Sequence, residues 1–107
     1  MIKKIIVEND FVPNSFDLTN STINIELDKS LVNRDNHIGF ADYSNEKILL
    51  DDSDEFKHFQ DEGFFHELVH WILYKMNNEL EANEEFVSQF GNLLHQAFKT
   101  MKLKEIK

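Results

Sequence analysis

The sequence predicts an α+β domain. A small, mainly antiparallel sheet of about three or four strands packs on one helix, and a second helix follows toward the C-terminus. Three observations carry this expectation. Ser21-Thr22-Ile23-Asn24-Ile25-Glu26-Leu27 alternates polar and apolar residues with period two, as a half-buried strand does. Residues 37–43 and 47–50 flank the short polar turn Ser44-Asn45-Glu46, which reads as a hairpin. Residues 55–76 and 83–101 hold apolar side chains at helical spacing.

Taken in order, Lys3 to Glu8 is short and β-branched, and predicts a strand. Asn9 to Asn20 holds the single proline, Pro13, among turn formers, and predicts a loop. Between Asp28 and Asn36 the pattern is polar, and Ser30-Leu31-Val32 suits a short helical turn. Asp51-Asp52-Ser53-Asp54 offers N-cap side chains and negative charge for a helix from about Glu55 to about Met76. Within it Gly63 marks a weak point or a close contact. Asn77-Asn78 favours a stop. The second helix runs from about Asn83 to Met101, with Phe86, Val87, Phe90, Leu93, Leu94, Ala97 and Met101 at helical spacing. Lys99, Lys102 and Lys104 suit its C-terminal dipole.

The chain has 107 residues, which fits one domain over 1–107 with no internal boundary. At 41% hydrophobic and with ten phenylalanines it has enough apolar surface for one core. A net charge of −9 argues against nucleic acid as a partner, because the phosphate backbone repels such a surface. Cysteine is absent, so neither disulfides nor thiolate ligands are available. Met1 to Val7 starts like a leader, but Glu8, Asn9 and Asp10 interrupt the apolar run too early. No run is long enough to span a membrane. A cytoplasmic protein is the expectation.

The chemistry concentrates at His66-Glu67-Leu68-Val69-His70, an H-E-x-x-H pattern within an apolar, helix-forming run. Residues i and i+4 lie one turn apart on one helix face, so both imidazoles reach a common point. Zinc accepts neutral imidazole nitrogens and, in catalytic sites, keeps a position open for water. Glu67 is placed to take a proton from that water. The pattern points to a metal-dependent hydrolase, most often a peptidase. The plainer alternative is two histidines and a glutamate sharing a helix by coincidence. Phe64, Phe65, Trp71, Ile72 and Leu73 oppose it, since two imidazoles set in an apolar core are costly unless something satisfies them.

Catalytic zinc needs a third protein ligand. Glu79, Glu81, Glu84 and Glu85 are the acidic candidates downstream of His70. At about 100° per residue, Glu84, Ser88, Gly91 and His95 fall on one line along the second helix. Gly91 on that line lets one helix approach another closely. Glu84 is therefore favoured, against the alternative that all four are solvated charges complementing the helix dipole. His37, His58 and His95 read as surface or packed residues. His95 is three turns from Glu84, too far to share its metal. Tyr43, Tyr74 and His37 are the candidates to stabilise an oxyanion, and spacing does not choose among them.

The H-E-x-x-H stretch, followed by Glu84-Glu85-Phe86-Val87-Ser88-Gln89-Phe90-Gly91, resembles the ImmA/IrrE-type metallopeptidases and small phage-encoded zinc peptidases. Their second helix carries a glutamate, then a small residue three positions on, then a Phe-Ala pair. Glu84, Val87 and Phe90-Gly91 follow that pattern, with Val87 and Gly91 in place of the usual alanines. Phe40-Ala41-Asp42-Tyr43 through Ile48-Leu49-Leu50-Asp51 is similar to the hairpin before the active-site helix of gluzincins, whose first strand pairs with substrate. The resemblance covers roughly residues 39–101. It implies a minimal zincin-like domain, Zn2+ held by His66, His70 and Glu84, catalysis by Glu67, and a peptide or protein substrate. The rival expectations are a phage- or mobile-element-type module that binds a host protein, and a purely structural zinc site. An intact Glu67 favours the enzyme, because structural zinc needs no general base.

Overall fold

Alternation in the sequence becomes pairing in the structure, a computed structural model that describes residues 11–35 and 37–102. Strands β1 (Ser15–Leu18), β2 (Ser21–Asp28), β3 (Gly39–Asp42) and β4 (Lys47–Asp51) form one sheet in the order β1-β2-β4-β3. The β1/β2 and β3/β4 pairs are antiparallel, and β2/β4 is parallel. Helices α1 (Leu31–Asp35), α2 (Gln60–Lys75) and α3 (Glu84–Thr100) complete the elements of the described residues with two 3-10 turns, at Lys57–Phe59 and Glu79–Ala82. This is the expected α+β class, a mainly antiparallel sheet with two long helices.

One expectation is corrected. The stretch read as a loop from Asn9 to Asn20 contains β1. Phe16 and Leu18 turn inward from it, and Phe16 meets Phe64 edge-on at 5.8 Å. A four-residue strand gives only two inward positions, too few for period two to stand out among turn formers. The strand expected at Lys3 to Glu8 lies outside the described residues.

The hairpin of β3 and β4 forms in the expected place, with Gly39 opposite Leu50 and Asp42 opposite Lys47. Helix α2 starts later than its acidic approach suggests. Phe59 stands at its N-cap without a side-chain hydrogen bond. Asp51 is drawn elsewhere: it is buried, and its carboxylate accepts from the Val32 amide at 2.8 Å and the Ser53 amide at 2.9 Å. The stop at Asn77-Asn78 forms as expected. Asn77 takes φ 53°, its amide donates to Tyr74 O at 3.0 Å, and the Asn78 amide donates to Leu73 O at 2.9 Å. These two bonds satisfy carbonyls that the helix end leaves unpaired. Asn83 then caps α3 by accepting from the Phe86 amide at 3.0 Å.

The core holds Ile23, Ile48 and Leu50 from the sheet against Phe64, Phe65 and Trp71 of α2. A second patch of Val69, Leu73 and Val87 ties α2 to α3. Burying each aliphatic or phenyl side chain contributes roughly 1.5–3 kcal/mol. The sheet therefore fixes α2, and α2 fixes α3. No helix among the described residues is long and apolar enough to cross a membrane.

Candidate metal centre

The motif lies in the middle of α2, where packing leaves little freedom. Phe65, Val69 and Trp71 are buried around it, and the Trp71 indole N–H donates to Lys47 O at 3.2 Å, locking the helix to the hairpin. His66 and His70 thus come off one face with ring centroids 5.0 Å apart. Glu84 arrives from the first turn of α3. Its Oε2 lies 3.1 Å from His66 Nε2, and its Oε1 lies 2.8 Å from His70 Nε2. One ligand atom from each residue lies within 4.8 Å of the others.

Gly91 makes this arrival possible. A Cβ built there would stand 3.2 Å from His66 Cα and 3.4 Å from Phe65 O, both backbone atoms that cannot swing aside. A glycine two turns after Glu84 lets α3 lie against the motif itself. The sequence line of Glu84, Ser88 and Gly91 is therefore the face that α3 turns toward α2.

The donor set fits a zinc ion. Two imidazole nitrogens and a carboxylate converge, and tetrahedral ligands at 2.0–2.1 Å from zinc stand about 3.3 Å from one another. The observed separations of 3.1 and 2.8 Å, made through the two different oxygens of Glu84, are of that order, and one ligand atom from each residue lies within 4.8 Å of the others. Burial holds the His66 imidazolium down, with the His70 charge acting in the same direction and Glu84 against it. His66 therefore favours the neutral form, the one that offers a lone pair. Glu67 is held toward its neutral form. Burial first, and then the Glu84 charge, push its carboxyl up to about 8, while a hydrogen bond from the Ala41 amide pulls the other way.

These residues line one end of a cleft of about 610 Å³. Its opposite wall is β3, the sheet's border strand, which among the described residues pairs with β4 alone. Glu67 sits between wall and floor. Its seat depends on Gly39, where a Cβ would come within 3.1 Å of Glu67 Cγ and 3.2 Å of its Oε2. Gly63 resolves as a close contact rather than a weak point: a Cβ there would stand 3.3 Å from Leu50 Cδ2.

Of the acidic candidates, Glu84 is the one brought to both histidines. Glu81 approaches only the far side of His70, with Oε2 3.2 Å from Nδ1. Among the possible oxyanion donors, the Tyr43 hydroxyl is already donated to Glu81 Oε2 at 2.7 Å. Burial pushes its pKa far up, so it remains a phenol. Tyr74 stacks on Tyr43 with centroids 4.0 Å apart and stands outside the cleft. His37 lines the cleft beside Phe40, while His95 packs on Phe65 at 5.2 Å. The residues of β3 were legible as an edge strand beside the site, but the fit of Gly39 on Glu67, the Ala41 amide bond to Glu67 and the Glu81–Tyr43 contact were not. Each depends on a tertiary approach, and only the glycine, opening a strand pattern, carried a local signal.

Comparison of the chain with protein-family models, with curated proteins and with solved structures finds no match.

Proposed function

We propose that this chain is a zinc-dependent peptidase, in which His66, His70 and Glu84 hold the metal and Glu67 is the general base. The observation that carries the reading is the convergence of Glu84, from a separate helix, on both histidines of the motif at 3.1 and 2.8 Å. The ImmA/IrrE resemblance supports the same assignment. When bound, zinc supplies a Lewis acid and lowers the pKa of a water.

The chain's own residues do the rest. Glu67 takes the proton of the attacking water on its carboxylate and passes it to the leaving amine. The Ala41 amide fixes the carboxylate's orientation, and the bare Cα of Gly39 leaves room for it. An extended peptide pairs with the edge of β3 that has no strand partner among the described residues, and so runs past the histidines. Buried walls around His70 and Glu67 limit water and strengthen electrostatic effects at the reacting carbonyl.

The test is cleavage of a peptide library by wild type and Glu67→Gln at matched zinc occupancy. Loss of the base lowers turnover by roughly a hundredfold or more, the usual worth of general acid–base catalysis. Equal behaviour of the two proteins, with no metal-dependent cleavage by either, would sink the hydrolase reading. A host-protein-binding role is the second reading, and one observation favours it. Phe90 and Leu93 of α3 are 49% and 67% exposed, on the face turned away from α2. A binder keeps its effect in Glu67→Gln and loses it in Leu93→Asp.

A further inference from the structure

The connection between α2 and α3 does more than deliver Glu84. It holds Glu81 in the 3-10 turn Glu79–Ala82, capped by Asn78, whose side chain accepts from the Leu80 amide at 2.9 Å. That turn sets Glu81 on the side of His70 opposite to Glu84. His70 Nδ1 is buried and has no aligned hydrogen-bond partner. Glu81 Oε2 stands 3.2 Å from it, within ion-pair distance but off the hydrogen-bond direction. The same oxygen accepts the Tyr43 hydroxyl at 2.7 Å. Tyr43 in turn is clamped, stacked parallel to Tyr74 at 4.0 Å and edge-on to Trp71 at 5.0 Å. A buried ring nitrogen without a partner is costly, and this carboxylate oxygen is positioned to relieve it.

We infer that Glu81 is the positioning residue for His70, with Tyr43 as its anchor. This rests on the metal reading above. A metal on Nε2 would leave the ring proton on Nδ1, facing Glu81 Oε2 at 3.2 Å, so that a small turn of the ring aligns the bond and the carboxylate holds the tautomer and ring orientation. The anchor adds a second consequence. Tyr43 directly follows β3, the strand on the far wall of the cleft. The chain β3–Tyr43–Glu81–His70 therefore ties the position of the substrate-facing strand to the aim of one ligand.

The experiment is zinc affinity, by competition with a chelating dye, for wild type, Glu81→Ala, Glu81→Gln and Tyr43→Phe. Nitrogen-edited NMR of the His70 ring in the zinc-loaded proteins accompanies it. Glu81→Ala weakens zinc roughly 10–100-fold, the usual effect of losing an outer-shell partner. Glu81→Gln, which keeps an acceptor oxygen, recovers part of that loss. Tyr43→Phe, which keeps the ring stack, weakens zinc by a smaller factor. The His70 Nδ1–H signal exchanges slowly in wild type and faster in Glu81→Ala, a change that a merely structural role would not produce. If Glu81→Ala fails to fold, Glu81→Gln and Tyr43→Phe decide. Zinc affinities within twofold of wild type in the folded variants, with an unchanged ring signal, overturn the assignment. A wild type that takes up no zinc overturns the metal reading itself, which is a separate result.

Discussion

The two halves of the candidate centre are built differently. On α2, the His70 side chain is only 10% exposed and that of His66 26%, and both are backed by the aromatic core. On α3, the Glu84 side chain is 68% exposed and sits in the first turn of a helix whose sequence-distant anchor to α2 is Val87 and Gly91. Folding alone sets the histidines. The glutamate is set by a cap, a glycine contact and whatever it coordinates. A metal bound as proposed would therefore contribute most at the α2–α3 junction, where binding only the folded state adds stability by mass action.

The largest effect that sharpens this contrast is on the exposed half. Glu84→Gln weakens zinc by more than the roughly 10–100-fold of an outer-shell change, because it removes one of three ligands. Glu85→Gln, one position on and also in the first turn of α3, changes zinc affinity by less than about twofold, as expected of an exposed surface charge. Chelator competition checks both. If Glu85→Gln strips the metal while Glu84→Gln keeps it, α3 has been assigned the wrong face.

Next comes the buried half. In the metal-free protein, burial and the Glu84 charge push the Glu67 carboxyl from its ordinary 4.5 up to about 8. The folded state therefore binds the proton more tightly, and ionising Glu67 costs stability. That cost is absent below about pH 4.5, grows as pH rises toward 8, and is constant above. Glu67→Gln should thus stabilise the metal-free protein by roughly 1–4 kcal/mol at pH 9 and hardly at all at pH 4. In zinc-loaded protein the gain shrinks, since a dication favours the ionised carboxylate. Urea denaturation across pH measures it. A gain larger at pH 4 than at pH 9 contradicts the burial argument.

The smallest of these effects probes the junction. Gly91→Leu forces α3 away from the His66 backbone, at a cost of roughly 1–3 kcal/mol for overpacking. It should also loosen zinc by moving Glu84. Thermal melts of metal-free protein and zinc affinity check the two parts. An unchanged affinity in a destabilised Gly91→Leu would mean that the helix spacing does not set the glutamate.

The same contrast governs what could be read from the sequence. The motif was legible because one helix supplies it, and periodicity alone places i and i+4 on one face. Glu84 was legible because its glycine partner lies on its own helix line. The α3 start near Asn83 was legible from apolar spacing, and the α2 stop at Asn77-Asn78 from residues that tolerate the left-handed backbone of a helix end. Strand β1 was hidden by its length. The late start of α2 was hidden because Asp51, a plausible cap, is used instead to hold α1 and the Ser53 turn. Glu81 stood among rival ligands in the sequence, and its approach to His70 Nδ1 depends on a 3-10 turn that no periodicity announces.

On the proposed reading, α2 and α3 jointly hold one zinc ion. Calorimetric titration of chelator-stripped protein with zinc tests it most directly, with Glu84→Gln as the paired sample. Wild type should show saturable binding of about one zinc per chain, accompanied by a rise in melting temperature, and Glu84→Gln much weaker binding. Absence of saturable binding in the folded wild type, or equal binding by the two proteins, would contradict that reading.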